Sequence, residues 1–143
     1  MLKKGMILMN AFYMSKMNPQ MIQDLIGNIK RLTGTKFTLD SIELDDINVA
    51  RPYPKPGQVY MHFKKKLYVI YDIAKHSEDH NKLFVVYGQL YPPYETYIRP
   101  LDMFMSPVDK EKYPNVSFAN RFNLIKKVEL CDYEGKTLLT IEN

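Results

Sequence analysis

The hydrophobic period changes across a proline-rich segment, and this change limits the fold more than any other feature of the 143-residue sequence. Residues 51–57 read Arg-Pro-Tyr-Pro-Lys-Pro-Gly, and each residue before a proline is pushed out of the α region. Before the segment, apolar residues follow helical spacing, whereas after it they alternate with polar ones. We therefore predict an N-terminal helical appendage over residues 1–51 and a β domain over residues 52–143.

The predicted helix begins at Asn18-Pro19, an N-cap residue followed by proline at the first helical position. Gly34 stands where a C-terminal cap is expected. The helix either docks on its own domain or offers an apolar face for a homo-oligomer or a partner. Residues 37–49 fit a strand or a capped helix equally well. The helical apolar positions are Ile22, Leu25, Ile26, Ile29 and Leu32.

The sequence after residue 57 predicts five or six short strands joined by tight turns. This pattern favours a mainly β fold and a small barrel. Residues 67–74 are apolar on both faces and should form a central strand. Pro100 should end a strand, because proline donates no ladder hydrogen bond. The expected strands are 59–63, 67–74, 83–91 with a continuation of the sheet at 96–99, one or two within 118–130, and 136–141.

Charge and cysteine content limit the class of protein. The net charge is +4, and residues 51–127 hold 13 Lys/Arg against 7 Asp/Glu. This excess indicates a solvated basic surface or affinity for an anionic partner. The single Cys131 excludes an intrachain disulfide and fits a reducing compartment, so we expect a cytoplasmic location. Residues 1–17 lack an Ala-x-Ala cleavage pattern, and no apolar run is long enough to span a bilayer.

Three polar residues at strands or strand ends form the main candidate site. His76, Tyr87 and Arg99 could converge on a phosphate or carboxylate, with Arg99 binding it bidentately. In the alternative interpretation, Arg99 pairs with Asp102 or Glu78 to fix a turn, while His76 caps a loop.

A second candidate is a stacking surface for nucleic acid. Exposed tyrosines beside a three-lysine turn would supply stacking rings and a phosphate-binding rim, although such tyrosines are also typical of a half-solvated sheet. No nucleophile elbow or glycine-rich phosphate loop occurs, so we predict no catalytic residue, metal or cofactor. An enzyme with His76 as general base is kept as an alternative. The residues of the stacking surface are Tyr60, Lys64, Lys65, Lys66, Tyr68 and Tyr97.

Four short strings between residues 57 and 125 resemble a bacterial family known as domain of unknown function 1653. The resemblance implies a compact SH3-like barrel and no particular activity. Family members usually carry Arg and Ala where this chain has Gly88 and Gln89, and Trp where it has Tyr97. The strings are Val59-Tyr60-Met61-His62-Phe63-Lys64, Tyr68-x-Val with Ala74-Lys75-His76-Ser77-Glu78, Val85-Val86-Tyr87 with Leu90-Tyr91, and Ile98-Arg99-Pro100-Leu101-Asp102-Met103-Phe104.

These observations favour a non-enzymatic binding module for a small anionic, nucleotide-like ligand held near His76, Tyr87 and Arg99. A nucleic-acid-binding barrel, a protein-interaction module acting through the helix, and a small enzyme are the alternatives.

Overall fold

The computed structural model describes residues 19–33, 36–41 and 51–142, which form two antiparallel sheets and two helices. The strands predicted after residue 57 are confirmed. The short helix after Pro100 was not predicted. In chain order the elements are α1 (Pro19–Thr33), β1 (Lys36–Ser41), β2 (Val59–His62), β3 (Leu67–Lys75), β4 (Leu83–Gln89), β5 (Thr96–Pro100), α2 (Leu101–Phe104), β6 (Phe122–Leu124), β7 (Lys127–Cys131) and β8 (Thr137–Glu142).

The larger sheet has five strands in the order β5-β4-β3-β2-β6. Its central strand is β3, as its two apolar faces predicted. Tyr68 pairs with Gln89 at one end of the β3–β4 ladder, and Lys75 pairs with Leu83 at the other. A register shift between Ile70 and Asp72 adds a local bulge, which increases twist.

The smaller sheet has the order β1-β7-β8. Lys36 pairs with Cys131 in the β1–β7 ladder, so a strand forms at the start of the segment that the sequence left ambiguous. Residues 42–50 lie outside the described residues, as do the predicted cap residues Asn18 and Gly34.

Helix α1 docks on its own domain, as one of the two interpretations predicted. Ile22 and Ile26 have no exposed surface and join a core that we call the helix-side core. Lys30 and Arg31 in the last turn complement the helix dipole. Besides the two isoleucines, the buried members of this core are Val59, Met61, Leu67, Val69, Leu90, Ile125, Val128, Leu130, Leu139 and Ile141.

The opposite face of the five-stranded sheet carries a second core, the pocket-side core. Helix α2 packs there through Leu101 and Phe104, and the Phe104 ring stacks on Phe122 of β6 at 4.1 Å between centroids. The other buried members are Tyr60, Ile70, Val85 and Tyr87.

The five-stranded sheet curls until its two edge strands face each other. The guanidinium carbon of Arg99 on β5 lies 5.7 Å from the ring centroid of Phe122 on β6. Arg51 joins β6 to the residue after α2 by donating to the carbonyls of Phe122 (2.9 Å) and Met105 (3.1 Å). Among the described strands, β5 and β6 share no ladder, so the sheet is open and the predicted barrel does not close. The mainly β class is confirmed, and SH3-like topology stays a prediction.

The N-terminal elements contribute to the same framework as the rest of the chain. Ile22 and Ile26 lie in one core with residues of both sheets, and β1 pairs with β7. The sequence predicts that residues 52–143 fold independently, and no observation here tests that prediction. From the packing of α1 and β1 we expect the opposite, that residues 52–143 need these two elements to fold. Within the described residues, no helix has the length and apolar character needed to cross a bilayer.

Candidate ligand-binding site

An open pocket of about 370 Å³ lies on the concave face of the five-stranded sheet. We call it the tyrosine pocket. Alternation along the strands places its residues on this face, because side chains two apart on a strand point the same way. The lining residues are His62, Lys64, Lys66, Tyr68, Tyr87, Tyr91, Tyr97, Arg99 and Phe122.

Tyr87 and Arg99 form one wall of the pocket. Arg99 Nε donates to the Tyr87 hydroxyl at 3.1 Å, and the guanidinium lies over the ring of Phe122. Tyr87 is buried, so its ring is fixed by the core while its hydroxyl orients Arg99. The two terminal nitrogens of Arg99 are the donors that remain for a ligand.

Tyr68 and Tyr91 continue the lining beside this wall, since the ring centroids of Tyr68 and Tyr87 lie 5.4 Å apart. Their hydroxyl oxygens lie 2.6 Å apart, which is a hydrogen bond with either as donor. Burial and this bond raise the pKa of Tyr68, so its hydroxyl stays neutral. Lys66 Nζ lies 5.0 Å from the Tyr91 ring centroid, which holds an ammonium at the rim.

Tyr97 is the most exposed aromatic ring of the lining, at 38% exposure. It stands opposite Tyr87 in the β4–β5 register. Its hydroxyl accepts from Gln89 Nε2 at 3.1 Å and donates to Glu95 at 3.4 Å, which fixes the ring edge. Tyr97 is therefore the ring of the lining that a stacking partner can reach most easily.

His62 is a neutral donor in this pocket. Burial lowers its pKa to about 4, with smaller effects from the charges of Lys64, Arg99 and Arg121. Its Nδ1 accepts the backbone N–H of Lys64 at 3.1 Å. A neutral imidazole with Nδ1 as acceptor carries its proton on Nε2.

The pocket is positively charged. Lys64, Lys66 and Arg99 line it, and no carboxylate belongs to the lining. Among the described side chains, none of these three cations has a carboxylate oxygen within 4.0 Å. Glu95 is the nearby acid, and it contacts the Tyr97 hydroxyl. The alternative pairing of Arg99 with Asp102 or Glu78 is therefore absent from the described residues.

The structure separates His76 from Tyr87 and Arg99. His76 follows the last residue of β3 and lies six residues beyond Ile70, the register partner of Tyr87, which is about 20 Å along a strand. Its Nδ1 accepts the backbone N–H groups of Glu78 (3.1 Å) and Asp79 (3.2 Å). His76 thus caps the β3–β4 loop, as the alternative interpretation predicted, and it does not line the pocket to which Tyr87 and Arg99 belong. The hypothesis of His76 as a general base loses its geometric support.

The predicted stacking surface is only partly exposed. Four of its six residues line the tyrosine pocket: Lys64, Lys66, Tyr68 and Tyr97. Tyr60 is 3% exposed and packs against Phe104, so an exposed ring at this position is wrong. Lys65 is exposed but lies outside the lining.

Sequence reasoning missed His62, Tyr91 and Phe122 as lining residues. A signal was present for two of them, because His62 and Tyr91 stand inside the strings that carry the family resemblance. Phe122 had none, since it reaches the pocket only through the curvature of the sheet. In the described part of the chain, no cluster of His, Cys, Asp or Glu could hold a metal. Cys131 is buried and free.

A larger groove of about 570 Å³ lies at the other end of β4 and β5. Lys82 and Asp102 are its charged residues, and their opposite signs give no preference for an anion. Its other lining residues are Tyr53, Asn81, Leu83, Phe84, Pro100, Leu101 and Met105. The tyrosine pocket is therefore the better candidate for an anionic ligand.

Residues 58–124 match the family model described as protein of unknown function (DUF1653). The resemblance predicted over residues 57–125 is confirmed for this segment, which is just under half of the chain. Every lining residue of the tyrosine pocket falls inside it, whereas α1, β1, β7 and β8 fall outside. Neither a search of curated proteins nor a search of solved structures found a match.

Proposed function

We propose that this protein is a binding module for a small anionic ligand that carries a flat ring, such as a nucleotide, and that the tyrosine pocket holds this ligand. The observation that carries the proposal is the composition of one pocket: three cations and five aromatic rings, with no carboxylate in the lining. We expect the module to act in the cytoplasm of a bacterium and to perform no chemistry on its ligand.

The anionic end of the ligand is assigned to Arg99. Its Nε is held by Tyr87 and its plane lies over Phe122, so little rotamer freedom is lost when the terminal nitrogens bind an oxyanion. Guanidinium and phosphate form two parallel charge-assisted hydrogen bonds. His62 Nε2–H and the ammonium of Lys66 supply further donors.

The flat end is assigned to the exposed face of Tyr97. Aromatic rings stack on nucleobases without regard to sequence. A volume of about 370 Å³ is at the lower end for small-molecule sites, which favours a ligand no larger than a mononucleotide. Aromatic pockets also bind quaternary ammonium groups, but Lys64, Lys66 and Arg99 would repel such a cation.

Calorimetric titration of the full chain with AMP, adenosine and ribose 5-phosphate tests the proposal. We expect AMP to bind more tightly than either fragment, because only AMP engages both ends of the pocket. Arg99→Lys keeps the charge but loses the fork, so AMP affinity should fall by roughly tenfold with little change in melting temperature. Lys136→Ala, on the exposed β7–β8 turn, is the control and should bind like the wild type.

Two results would contradict this assignment. Equal binding of AMP by the wild type and Arg99→Lys would remove Arg99 from the site. A loss of several degrees in melting temperature would mean that Arg99 mainly holds β5 against β6. The nucleic-acid alternative keeps some support because Lys64, Lys66, Tyr68 and Tyr97 share the pocket. Unlike a pocket for one nucleotide, it predicts an affinity that keeps rising with the length of the nucleic acid and falls steeply with salt.

A further inference from the structure

A second group of aromatic and basic residues continues from the tyrosine pocket. Tyr113 lies outside the lining, and its ring is flanked by two ammonium groups. Lys64 Nζ lies 5.4 Å and Lys112 Nζ 5.5 Å from the ring centroid. Lys64 also lines the pocket, so one side chain serves both places.

Aromatic rings connect the two places. The ring of His62 in the pocket lies 4.3 Å from that of Phe63, measured between centroids. Phe63 in turn lies 4.9 Å from Tyr113 in an edge-to-face contact. Phe63 is buried, so it fixes the position of Tyr113 relative to the pocket. Tyr113 therefore lies next to the pocket, because Phe63 and the shared side chain of Lys64 connect the two places.

The two lysines beside Tyr113 have no acidic partner among the described side chains, since neither has a carboxylate oxygen within 4.0 Å. Asp109 is near in sequence, but its Oδ1 accepts the backbone N–H groups of Glu111 (3.0 Å) and Lys112 (3.3 Å). A hydrogen bond from Lys64, together with the charge of Lys112, lowers the pKa of Tyr113. No described carboxylate therefore forms a direct ion pair with either of the two lysines beside this ring.

Lys110 differs from Lys112 although it stands on the same loop. Its ammonium donates to the carbonyl of Phe118 at 2.8 Å and to that of Val116. Lys110 therefore holds the loop together, whereas the ammonium of Lys112 lies beside the Tyr113 ring, where it and the ring can contact one ligand.

We propose that the binding site extends beyond the tyrosine pocket and takes a short single-stranded oligonucleotide. The pocket would hold one nucleotide, while Tyr113 stacks on the neighbouring base and Lys112 contacts a phosphate. Proteins that bind single strands place an aromatic ring against a base and a cation against the neighbouring phosphate. This inference rests on the proposed function and names its ligand class. Because the pocket and the surface around Tyr113 hold one nucleotide each, the affinity for an oligonucleotide should rise from one nucleotide to two and then level off.

The test compares AMP with 5′-phosphorylated adenylate dimers and tetramers, titrated calorimetrically into the full chain at low salt. We expect the dimer to bind about tenfold more tightly than AMP, because one additional base is stacked. The tetramer should bind like the dimer. Lys112→Ala should weaken the dimer at least about threefold and leave AMP unchanged. Lys136→Ala is the matched control and should change neither.

The outcomes separate this inference from the proposed function. If AMP binds but the dimer gains nothing, the extension is wrong and the pocket assignment stands. If neither binds, both are wrong. A loss of AMP affinity in Lys112→Ala would place Lys112 in the pocket and contradict the extension. Tetraglutamate binding as tightly as the dimer would mean that charge alone acts here, which also overturns it. Tyr113→Leu, which retains an apolar contact with Phe63, should lose the gain of the dimer.

Discussion

His62 is held in its neutral form by its surroundings. Removing the imidazole from water disfavours its charged form, and Lys64, Arg99 and Arg121 add repulsion, so its pKa falls to about 4. An exposed histidine in the unfolded chain titrates near 6.5. Between about pH 6.5 and pH 4 the unfolded chain therefore binds a proton at this position that the folded chain does not.

This difference predicts how stability depends on pH. The free energy of unfolding should fall as the pH is lowered from about 6.5 to about 4, because the unfolded state binds more protons there. Allowing for solvent screening of a half-buried ring, the expected loss is on the order of 1 kcal/mol. His62→Asn offers an acceptor for the Lys64 N–H but does not titrate, so it should lose less stability over the same interval. Urea unfolding of both proteins at several pH values measures the difference.

His80 supplies the control for this experiment, since it is exposed on the β3–β4 loop. His80→Asn should follow the pH profile of the wild type. If His62→Asn also follows it, the protonation of His62 is not coupled to folding. Carboxylates that titrate in the same interval contribute equally to all three proteins and cancel in the comparison.

At the scale of elements, the contact between α1 and the five-stranded sheet depends on a glycine, Gly88, which has no side chain to fill the space between them. Gln23 of α1 is buried, and its Nε2 donates to the carbonyl of Gln89 at 2.6 Å. Its Oε1 accepts from the hydroxyl of Tyr71. Gly88 lies directly beneath, where an added Cβ would stand 2.6 Å from the Tyr71 ring and 2.8 Å from Gln23 Nε2. The resemblance implies a larger residue at position 88, and here that space is taken by α1.

Two glycine substitutions at this contact should change stability in opposite directions. Gly88→Ala should lower the free energy of unfolding by about 1–3 kcal/mol, because Gln23 and Tyr71 must both move. Gly27→Ala on α1 should raise it by up to about 1 kcal/mol, since the new Cβ meets Tyr94 only at 3.6 Å and alanine favours the helix. Urea unfolding measures both. A Gly88→Ala variant as stable as the wild type would mean that α1 is not held by this contact.

Individual elements were predicted well where the period of apolar residues was clear. Strands β2 to β5 follow the alternation of the sequence, and the two apolar faces of β3 indicated its central place. Helix α2 was missed because four residues are too few for a helical period. Tyr60 was predicted to be exposed because alternation shows two faces but does not show that both are covered. The pocket-side core covers the face that carries Tyr60.

The candidate site was harder to predict, because it depends on how the whole sheet curves. In the β4–β5 register Tyr87 pairs with Tyr97, and Arg99 is two residues further along β5. The proximity of Tyr87 and Arg99 therefore follows from strand pairing. His76 was grouped with them because the sequence did not show at which end of the sheet each residue lies. The approach of Phe122 to Arg99 joins strands at opposite edges of the sheet, and no local pattern encodes it.

For the whole molecule, the remaining question is whether residues 52–143 fold without the N-terminal elements. Ile22 and Ile26 are fully buried, and burying such a side chain contributes about 1.5–3 kcal/mol. Removing β1 would also leave β7 as an unpaired edge, and Arg51 would no longer fasten β6 to the segment after α2. Typical domains are stable by only about 5–15 kcal/mol. These losses together are comparable to the whole stability.

We therefore expect a fragment that begins at Pro54 to show no cooperative unfolding transition, whereas the full chain unfolds in one step. Urea titration followed by circular dichroism measures this. In the full chain, Ile26→Ala should cost about 2–5 kcal/mol, because it leaves a cavity in the helix-side core. Met21→Ala, at a position 50% exposed, is the matched control and should change stability by less than about 0.5 kcal/mol. If the fragment unfolds cooperatively and still binds AMP like the full chain, residues 52–143 form a domain of their own and α1 is a separable appendage.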